Sequence, residues 1–169
     1  IYQDKGVGQI KKISHNGSNI LYKRNLNGES ETSSSVDFLE SQYAQGAGTQ
    51  ELVSVDVSYD DYIFALDRGN GVIYIYDSEC NLMSAFGGGF GEGERLGLFK
   101  KPSALTFNGN SVLVADEAKL SFTVFEPTEY GTLLRQAQTL YIKGNYEEAK
   151  ELWEKVLKLN RNCQLAYRG

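Results

Sequence analysis

Three aspartates at the ends of apolar segments are the residues whose type and spacing best suit chemistry. Asp4, Asp67 and Asp116 each follow an apolar segment and precede a short turn and a second apolar segment. Asp116 lies 49 residues after Asp67, which lies 63 residues after Asp4. Carboxylates that ring a channel could bind a divalent cation. A side chain that recurs in every unit is better explained as a cap on the backbone N–H groups of its turn, so we expect a structural role and no metal site.

Other groups that suggest catalysis or ligand binding lack the partners that such chemistry needs. His15 is the single histidine, and no nucleophile motif lies beside it, so no catalytic residue is predicted. The glycine-rich run 87–97 lacks the Lys-Ser/Thr of a phosphate-binding loop. Cys80 and Cys163 lie far apart and have no metal-ligand spacing. We expect no cofactor.

Composition and charge favour a globular protein without a nucleic-acid partner. The chain is 41% hydrophobic and 23% charged, which is ordinary for soluble domains. Its net charge of −5 divides into −7 for residues 1–128 and +2 for 129–169, whereas nucleic-acid binders carry a basic surplus. No apolar run reaches membrane-spanning length. Ile1 is an unusual first residue, so we expect the chain to be part of a longer protein.

Short apolar segments separated by turn residues predict strands over most of residues 1–126, and residues 51–58 also alternate apolar and polar side chains. The expected strands are 1–4, 9–14 and 19–24, then 51–58, 62–67, 72–77 and 82–86, then 103–107, 111–116 and 120–126. Residues 25–50 are rich in Ser, Gly, Asn and Gln and predict an irregular loop. A strand–turn–strand unit repeated at about this period is typical of a β-propeller.

The periodicity changes after Pro127 to that of two amphipathic helices. Apolar residues then recur at three- and four-residue spacing: Leu133, Ala137, Leu140 and Tyr141, followed by Ala149, Trp153, Val156 and Leu157. Gly144 lies between the two sets and suits a left-handed helix cap. The predicted fold class is therefore mainly β with a C-terminal α segment, a partial β-propeller of antiparallel four-stranded blades plus a helical hairpin.

The helical pair resembles a tetratricopeptide repeat over residues 130–163. Ala137 and Ala149 take the small positions of the two helices, Gly144 and Tyr146 lie at the turn, and Trp153 takes the large aromatic position. Arg161 stands where the family usually has proline. Residues 164–169 then match the opening of a next repeat. The resemblance implies a concave, peptide-binding face, onto which it places three residues: Gln138, Tyr141 and Ile142.

The β part resembles the NHL-repeat propellers over residues 51–126 and, in part, over 1–24. Their blades run from an apolar strand ending in Asp, through a second such strand, to Phe-Gly, a glycine-rich loop, Phe and Pro. The matching residues are Tyr62–Asp67, Val72–Asp77, Phe86-Gly87, Gly87–Gly97, Phe99 and Pro102. The combination is similar to bacterial proteins in which such a propeller leads into tetratricopeptide repeats, often with a membrane segment elsewhere. The sequence does not determine the cellular compartment. An extracytoplasmic, membrane-attached protein is compatible with this resemblance.

These observations predict a non-catalytic protein–protein interaction scaffold. We expect propeller blades over residues 1–127 and a tetratricopeptide helix–turn–helix over 128–169, with a protein or peptide as partner. Self-association through an exposed blade edge or helix face is also expected. Two alternatives stay open: a gluconolactonase-like propeller enzyme with a divalent cation in its channel, and an RNA-binding NHL module that uses the basic residues of 1–24.

Overall fold

The chain contains antiparallel sheets followed by a pair of helices. The computed structural model describes residues 10, 12–18, 23–24, 30–31, 51–87 and 97–168. Strands β1 (Lys23–Arg24) and β2 (Ser30–Glu31) pair with each other, so the segment predicted to be irregular includes a short strand. The predictions for Asp4, the rest of 25–50 and the middle of the glycine-rich run lie outside the described residues.

Four strands form the first sheet in the order in which they occur along the chain. They are β3 (Leu52–Val57), β4 (Ile63–Asp67), β5 (Val72–Tyr76) and β6 (Leu82–Phe86), and all neighbours are antiparallel. The turn between β4 and β5 needs a left-handed residue, which Gly71 supplies with φ of 64°. β4 is buried at every position, because both faces of the sheet are covered.

Three strands form the second sheet, and they repeat the first three of the first sheet. They are β7 (Pro102–Asn108), β8 (Ser111–Asp116) and β9 (Ser121–Phe125), again in chain order and antiparallel. The chain leaves β9 through Pro127 and enters a helix two residues later. Among the described residues, the second sheet therefore has no fourth strand.

The two sheets stack face to face and share a core. Residues from both sides meet in one apolar cluster: Tyr62, Phe64, Leu66, Ile73, Phe99, Leu105, Val112 and Val114. The Phe64 and Phe107 rings stack with centroids 5.1 Å apart. Polar groups join β3 to β7, where the Leu105 N–H donates to Ser54 Oγ at 3.0 Å and the Phe107 N–H to Asp56 Oδ2 at 2.7 Å. The two sheets therefore stack in the order in which they occur along the chain.

The other face of the first sheet packs against the N-terminal part of the chain. Ile10 is buried there among five residues of the sheet: Leu52, Ile63, Ala65, Tyr74 and Tyr76. Lys12 Nζ donates to the Ser78 carbonyl at 2.8 Å. The first sheet therefore lies between the residues around Ile10 and the second sheet.

Two helices of equal length form a hairpin at the C-terminal end. Helix α1 (Glu129–Ile142) begins where the Gly131 N–H donates to Thr128 Oγ1, and helix α2 (Tyr146–Leu159) follows a turn at Gly144. Gly144 has φ of 81°, as its predicted cap role requires. A 3-10 turn (Leu165–Tyr167) then packs on the hairpin. The hairpin core consists of Leu134, Ala137, Ala149, Trp153, Val156, Cys163 and Ala166.

The fold class predicted from the sequence is confirmed. The seven strands β3–β9 form two antiparallel sheets, and a helical pair follows them, an arrangement consistent with a partial propeller plus a helical hairpin. Each of these strands begins and ends within two residues of its predicted bounds. In the described part of the chain, no helix is long and apolar enough to cross a membrane.

Candidate interaction site at the junction of helices and sheets

Two of the three repeated aspartates, Asp67 and Asp116, cap turns as predicted. Asp67 Oδ1 accepts hydrogen bonds from the backbone N–H groups of Glu51 at 2.9 Å and Asn70 at 3.2 Å. Its second oxygen accepts from the Asn70 side-chain amide at 2.7 Å and from the hydroxyl of Tyr74 at 3.4 Å. The Asp67 carboxylate is fully buried, and it binds both its own hairpin and the backbone just before β3.

Asp116 likewise caps a turn in the second sheet. Its carboxylate accepts four backbone N–H groups, those of Lys100, Lys101, Ala118 and Lys119, at 2.6 to 3.1 Å. Burial alone raises the pKa of this carboxyl, but the four donors outweigh burial and hold the pKa below its usual value. Asp67 and Asp116, at equivalent positions of the two sheets, therefore both stabilise turns.

Asp77 has a different role, because it joins the first sheet to a helix. Asp77 follows β5 and is fully buried, and its Oδ1 accepts the backbone N–H groups of Glu79 and Asn81. Its Oδ2 accepts the side-chain amide of Gln138, from the middle of α1, at 2.8 Å. A buried carboxylate with this many donors is a fixed anchor for the helix.

Tyr62 provides the second anchor of α1. Its hydroxyl donates to the Arg135 backbone carbonyl at 2.6 Å and lies 2.9 Å from Thr139 Oγ1. Burial raises the pKa of the Tyr62 phenol to about 12, and the bond with Thr139 offsets part of that effect. The hydroxyl therefore stays protonated over the physiological range and can keep donating.

The Arg135 side chain lies over the same tyrosine. Its guanidinium carbon is 5.9 Å from the centre of the Tyr62 ring, within the range of a cation–π contact. Nη2 donates to Asn110 Oδ1 at 2.5 Å, and Nη1 lies 4.0 Å from Asp60 Oδ2. Gln138 and Thr139 follow Arg135 by three and four residues, so one stripe of α1 contacts both sheets.

The partner-facing residues predicted from the sequence occupy two different environments. Gln138 is buried, and its amide binds the chain's own Asp77. Tyr141 is at the surface, with its ring centroid 5.4 Å from that of Tyr146 in an edge-to-face contact. Ile142 is half-buried at the end of α1. The role of all three toward a partner stays a prediction.

Sequence reasoning missed Tyr62, Asp77 and Arg135 as functional residues. The sequence placed Tyr62 only at the start of a predicted strand, whereas its hydroxyl reaches a helix 73 residues later in the chain. Asp77 follows a strand in the same way as Asp67, so its sequence context predicted only a turn. These residues could not be identified from the sequence because their contacts are long-range. No local pattern links a turn residue to the polar stripe of a distant helix.

An apolar cleft of about 540 Å³ opens between the two sheets and the start of α1. Its lining includes four phenylalanines and two apolar residues of the helix: Phe64, Phe86, Phe107, Phe125, Tyr130 and Leu134. Two of its polar residues, Arg135 and Asn110, are hydrogen-bonded to each other. Glu126 and Thr128 also line the cleft, and they accept hydrogen bonds from the Ser111 hydroxyl and the Gly131 N–H, so these four polar residues are already engaged within the chain.

The other side chains with catalytic or metal-binding chemistry are one histidine and two cysteines. His15 is exposed in a tight turn formed by Ser14 and Ser18. Cys80 and Cys163 are free, and burial raises the pKa of the Cys80 thiol to about 11. Within the described ranges, no group of three or more His, Cys, Asp or Glu side chains is placed to hold a metal ion.

Comparison with known proteins assigns the helical hairpin. Residues 131–163 match the tetratricopeptide repeat family, in agreement with the register of small and aromatic residues in α1 and α2. No curated protein matches the chain. The repeat suggests a scaffold for protein–protein interaction, because such helical repeats stack into extended binding surfaces.

Proposed function

We propose that this chain is a non-catalytic scaffold in which NHL-type propeller blades hold a tetratricopeptide hairpin in a fixed orientation toward a peptide or protein partner. The proposed domains are residues 1–127 and 128–169. The observation that carries the proposal is the docking of α1, whose family-matched helix binds Tyr62 and Asp77 of the first sheet.

Repetition in the β part supports the assignment to propeller blades. Asp67 and Asp116 cap equivalent turns 49 residues apart, and the strands around them pair in the same register. The sheets stack in chain order, as blades of a propeller do. NHL-type blades are the repeat that the Asp, Phe-Gly and Pro positions of the sequence resemble.

The part of the predicted binding face that remains accessible lies at the turn of the hairpin. Gln138 is held by the first sheet, whereas Tyr141 and Tyr146 are exposed and in contact with each other. Exposed tyrosines next to a half-buried aliphatic residue, here Ile142, are typical anchors of protein interfaces. We place the start of the peptide-binding surface at these three residues.

Selection from a random peptide library against the immobilised chain tests this function. We expect peptides whose Kd, measured by isothermal titration calorimetry, rises about tenfold or more on Tyr141→Ala, because interface tyrosines often contribute that much. Tyr59→Ala removes a more exposed tyrosine, from the turn between β3 and β4, and serves as the control. Failure to select any binder, or equal losses in both variants, would contradict the proposal.

A metal titration and a salt titration distinguish the alternatives. A ligand that binds only the native state raises Tm, so Ca²⁺ or Zn²⁺ would do so if a tight site existed. We expect no rise with either ion. An RNA-binding module would show affinity for single-stranded RNA that falls steeply with salt, and we expect no such binding.

A further inference from the structure

The second sheet lacks a counterpart of the strand that completes the first. Setting Asp116 on Asp67 places β9 on β5, and both strands pair with the strand before them in a regular register. The edge of β5 that faces away from β4 carries β6. In the described ranges no strand pairs with the equivalent edge of β9, since the chain enters α1 within four residues of Phe125.

This edge of β9 also lacks the features that keep sheet edges from pairing. Edge strands are commonly protected by charged residues, proline or a β-bulge. The other three edge strands of the two sheets, β3, β6 and β7, each pair through an irregular register, and β7 begins with Pro102. β9 reads Ser-Phe-Thr-Val-Phe and pairs regularly, so the edge left open in the described part of the chain can accept another strand.

The apolar cleft lies where a strand added to this edge would place a side chain. Residues 84–86 of β6 line the cleft from the first sheet, and Phe125 of β9 lines it from the second. Side chains directly opposite each other on neighbouring strands share a face of the sheet. A residue added opposite Phe125 therefore faces the cleft.

The first sheet shows what kind of segment fits. β6 is a five-residue, uncharged strand antiparallel to β5, and its first and last residues lie opposite Tyr76 and Ile73. Phe125 and Phe122 hold these two places in β9. A matching segment presents one apolar side chain opposite Phe125, for the cleft, and a second opposite Phe122, which is 76% exposed.

We propose that β9 accepts an extended, uncharged segment of a partner protein as the fourth strand of the second sheet, with one apolar side chain of that segment in the cleft. Backbone hydrogen bonds to β9 supply affinity, and the cleft supplies specificity. Tyr141, Ile142 and Tyr146 do not line the cleft, so this site adds a second mode of binding to the proposed scaffold.

A synthetic peptide with the sequence of residues 81–87, which contains β6, tests the proposal by isothermal titration calorimetry against the whole chain. We expect one peptide to bind per chain. Leu82→Ser in the peptide should raise the Kd about tenfold, because the side chain opposite Phe125 no longer fills the cleft. N-methylation of one alternate set of peptide amides should abolish binding, whereas methylation of the other set should not, because only one edge of the added strand pairs with β9.

Hydrogen exchange locates the bound peptide, since amides of β9 should exchange more slowly when it is present. Tyr141→Ala in the chain should leave this Kd unchanged, which separates this test from that of the proposed function. Failure of the peptide to bind, as when a second copy or another segment of the chain already holds the edge, would overturn the proposal. Equal binding of both N-methylated peptides, an unchanged Kd for Leu82→Ser, or protection of a different strand would also overturn it.

Discussion

The side-chain amide of Gln138 donates a hydrogen bond of 2.8 Å to the carboxylate of Asp77, and both residues are buried. The pair connects the middle of α1 to the end of β5, across 61 residues of sequence. Together with the Tyr62 hydroxyl on the Arg135 carbonyl, it attaches the hairpin to the first sheet at two points. The orientation of the helices is thus set by specific polar contacts.

Replacing Gln138 by leucine should destabilise the protein by about 1.5–3 kcal/mol, the usual contribution of a hydrogen bond to a charged group. Leucine retains the bulk of the side chain but leaves Asp77 without its helical donor. Urea unfolding followed by circular dichroism measures the change. Gln136→Leu, at an exposed position of the same helix, should stay within about 0.5 kcal/mol. Equal losses in both variants would show that Gln138 is not an anchor.

Removing the Tyr62 hydroxyl should cost about 1–2 kcal/mol, because Tyr62→Phe loses the bonds to the Arg135 carbonyl and to Thr139 while keeping the ring under the guanidinium. Chemical denaturation provides the measurement. Tyr59→Phe is the control, since Tyr59 is exposed. If Tyr62→Phe is as stable as the unaltered chain, the Tyr62 hydroxyl does not help to hold α1 on the first sheet.

Stability should fall at alkaline pH through Tyr62. Its phenol has a pKa of about 12 in the folded chain against an ordinary value of 10.0. The unfolded state therefore loses its proton first, and stabilisation that is complete below pH 10 is lost as the pH rises toward 12. Unfolding free energies measured across this window should decline less steeply for Tyr62→Phe. Identical slopes would be inconsistent with a protonated, buried hydroxyl.

Acid should release the cap at Asp116. The folded-state pKa of this carboxyl is depressed, so its stabilisation is present above the unfolded value, about 3.9, and is lost as the pH falls through the folded pKa. Asp116→Asn should cost about 2 kcal/mol at neutral pH, because an amide nitrogen then meets backbone donors. Thermal unfolding from neutral to acid pH should show a smaller loss in this variant than in the unaltered chain. Asp61→Asn, at an exposed turn, is the control and should retain the full acid slope.

Leu120→Gly should stabilise the monomer by about 0.5–1 kcal/mol. The left-handed backbone at this position strains a leucine, and relief of that strain exceeds the extra chain entropy of glycine. Denaturation at a protein concentration low enough to avoid association gives the value. Gly109→Ala probes the reverse change, since Gly109 has φ of 64° and open space around it, and it should lose a similar amount. A destabilised Leu120→Gly variant would show that Leu120 packs within its own chain.

The sequence by itself determined the local elements. Alternation along Leu52–Val57 and the three- to four-residue period through Leu133 and Ala137 predicted strand and helix, because these periods decide which side chains share a face. Gly144 marked the helix end, since few residues adopt a left-handed cap. The turn roles of Asp67 and Asp116 followed from repetition, because a short side chain can reach only the backbone near it.

Only the tertiary structure decided how these elements meet. The apolar stripe of α1 predicted its contact with α2, but the polar stripe with Arg135 and Gln138 looks in sequence like any solvated helix face. This polar stripe is buried because Tyr62 and Asp77, which are distant in sequence, contact it. Likewise, Ile73 and Phe122 hold equivalent places in two sheets, and only stacking makes one buried and the other exposed. Burial depends on which surfaces pack together in three dimensions, and no local pattern of residue types encodes that choice.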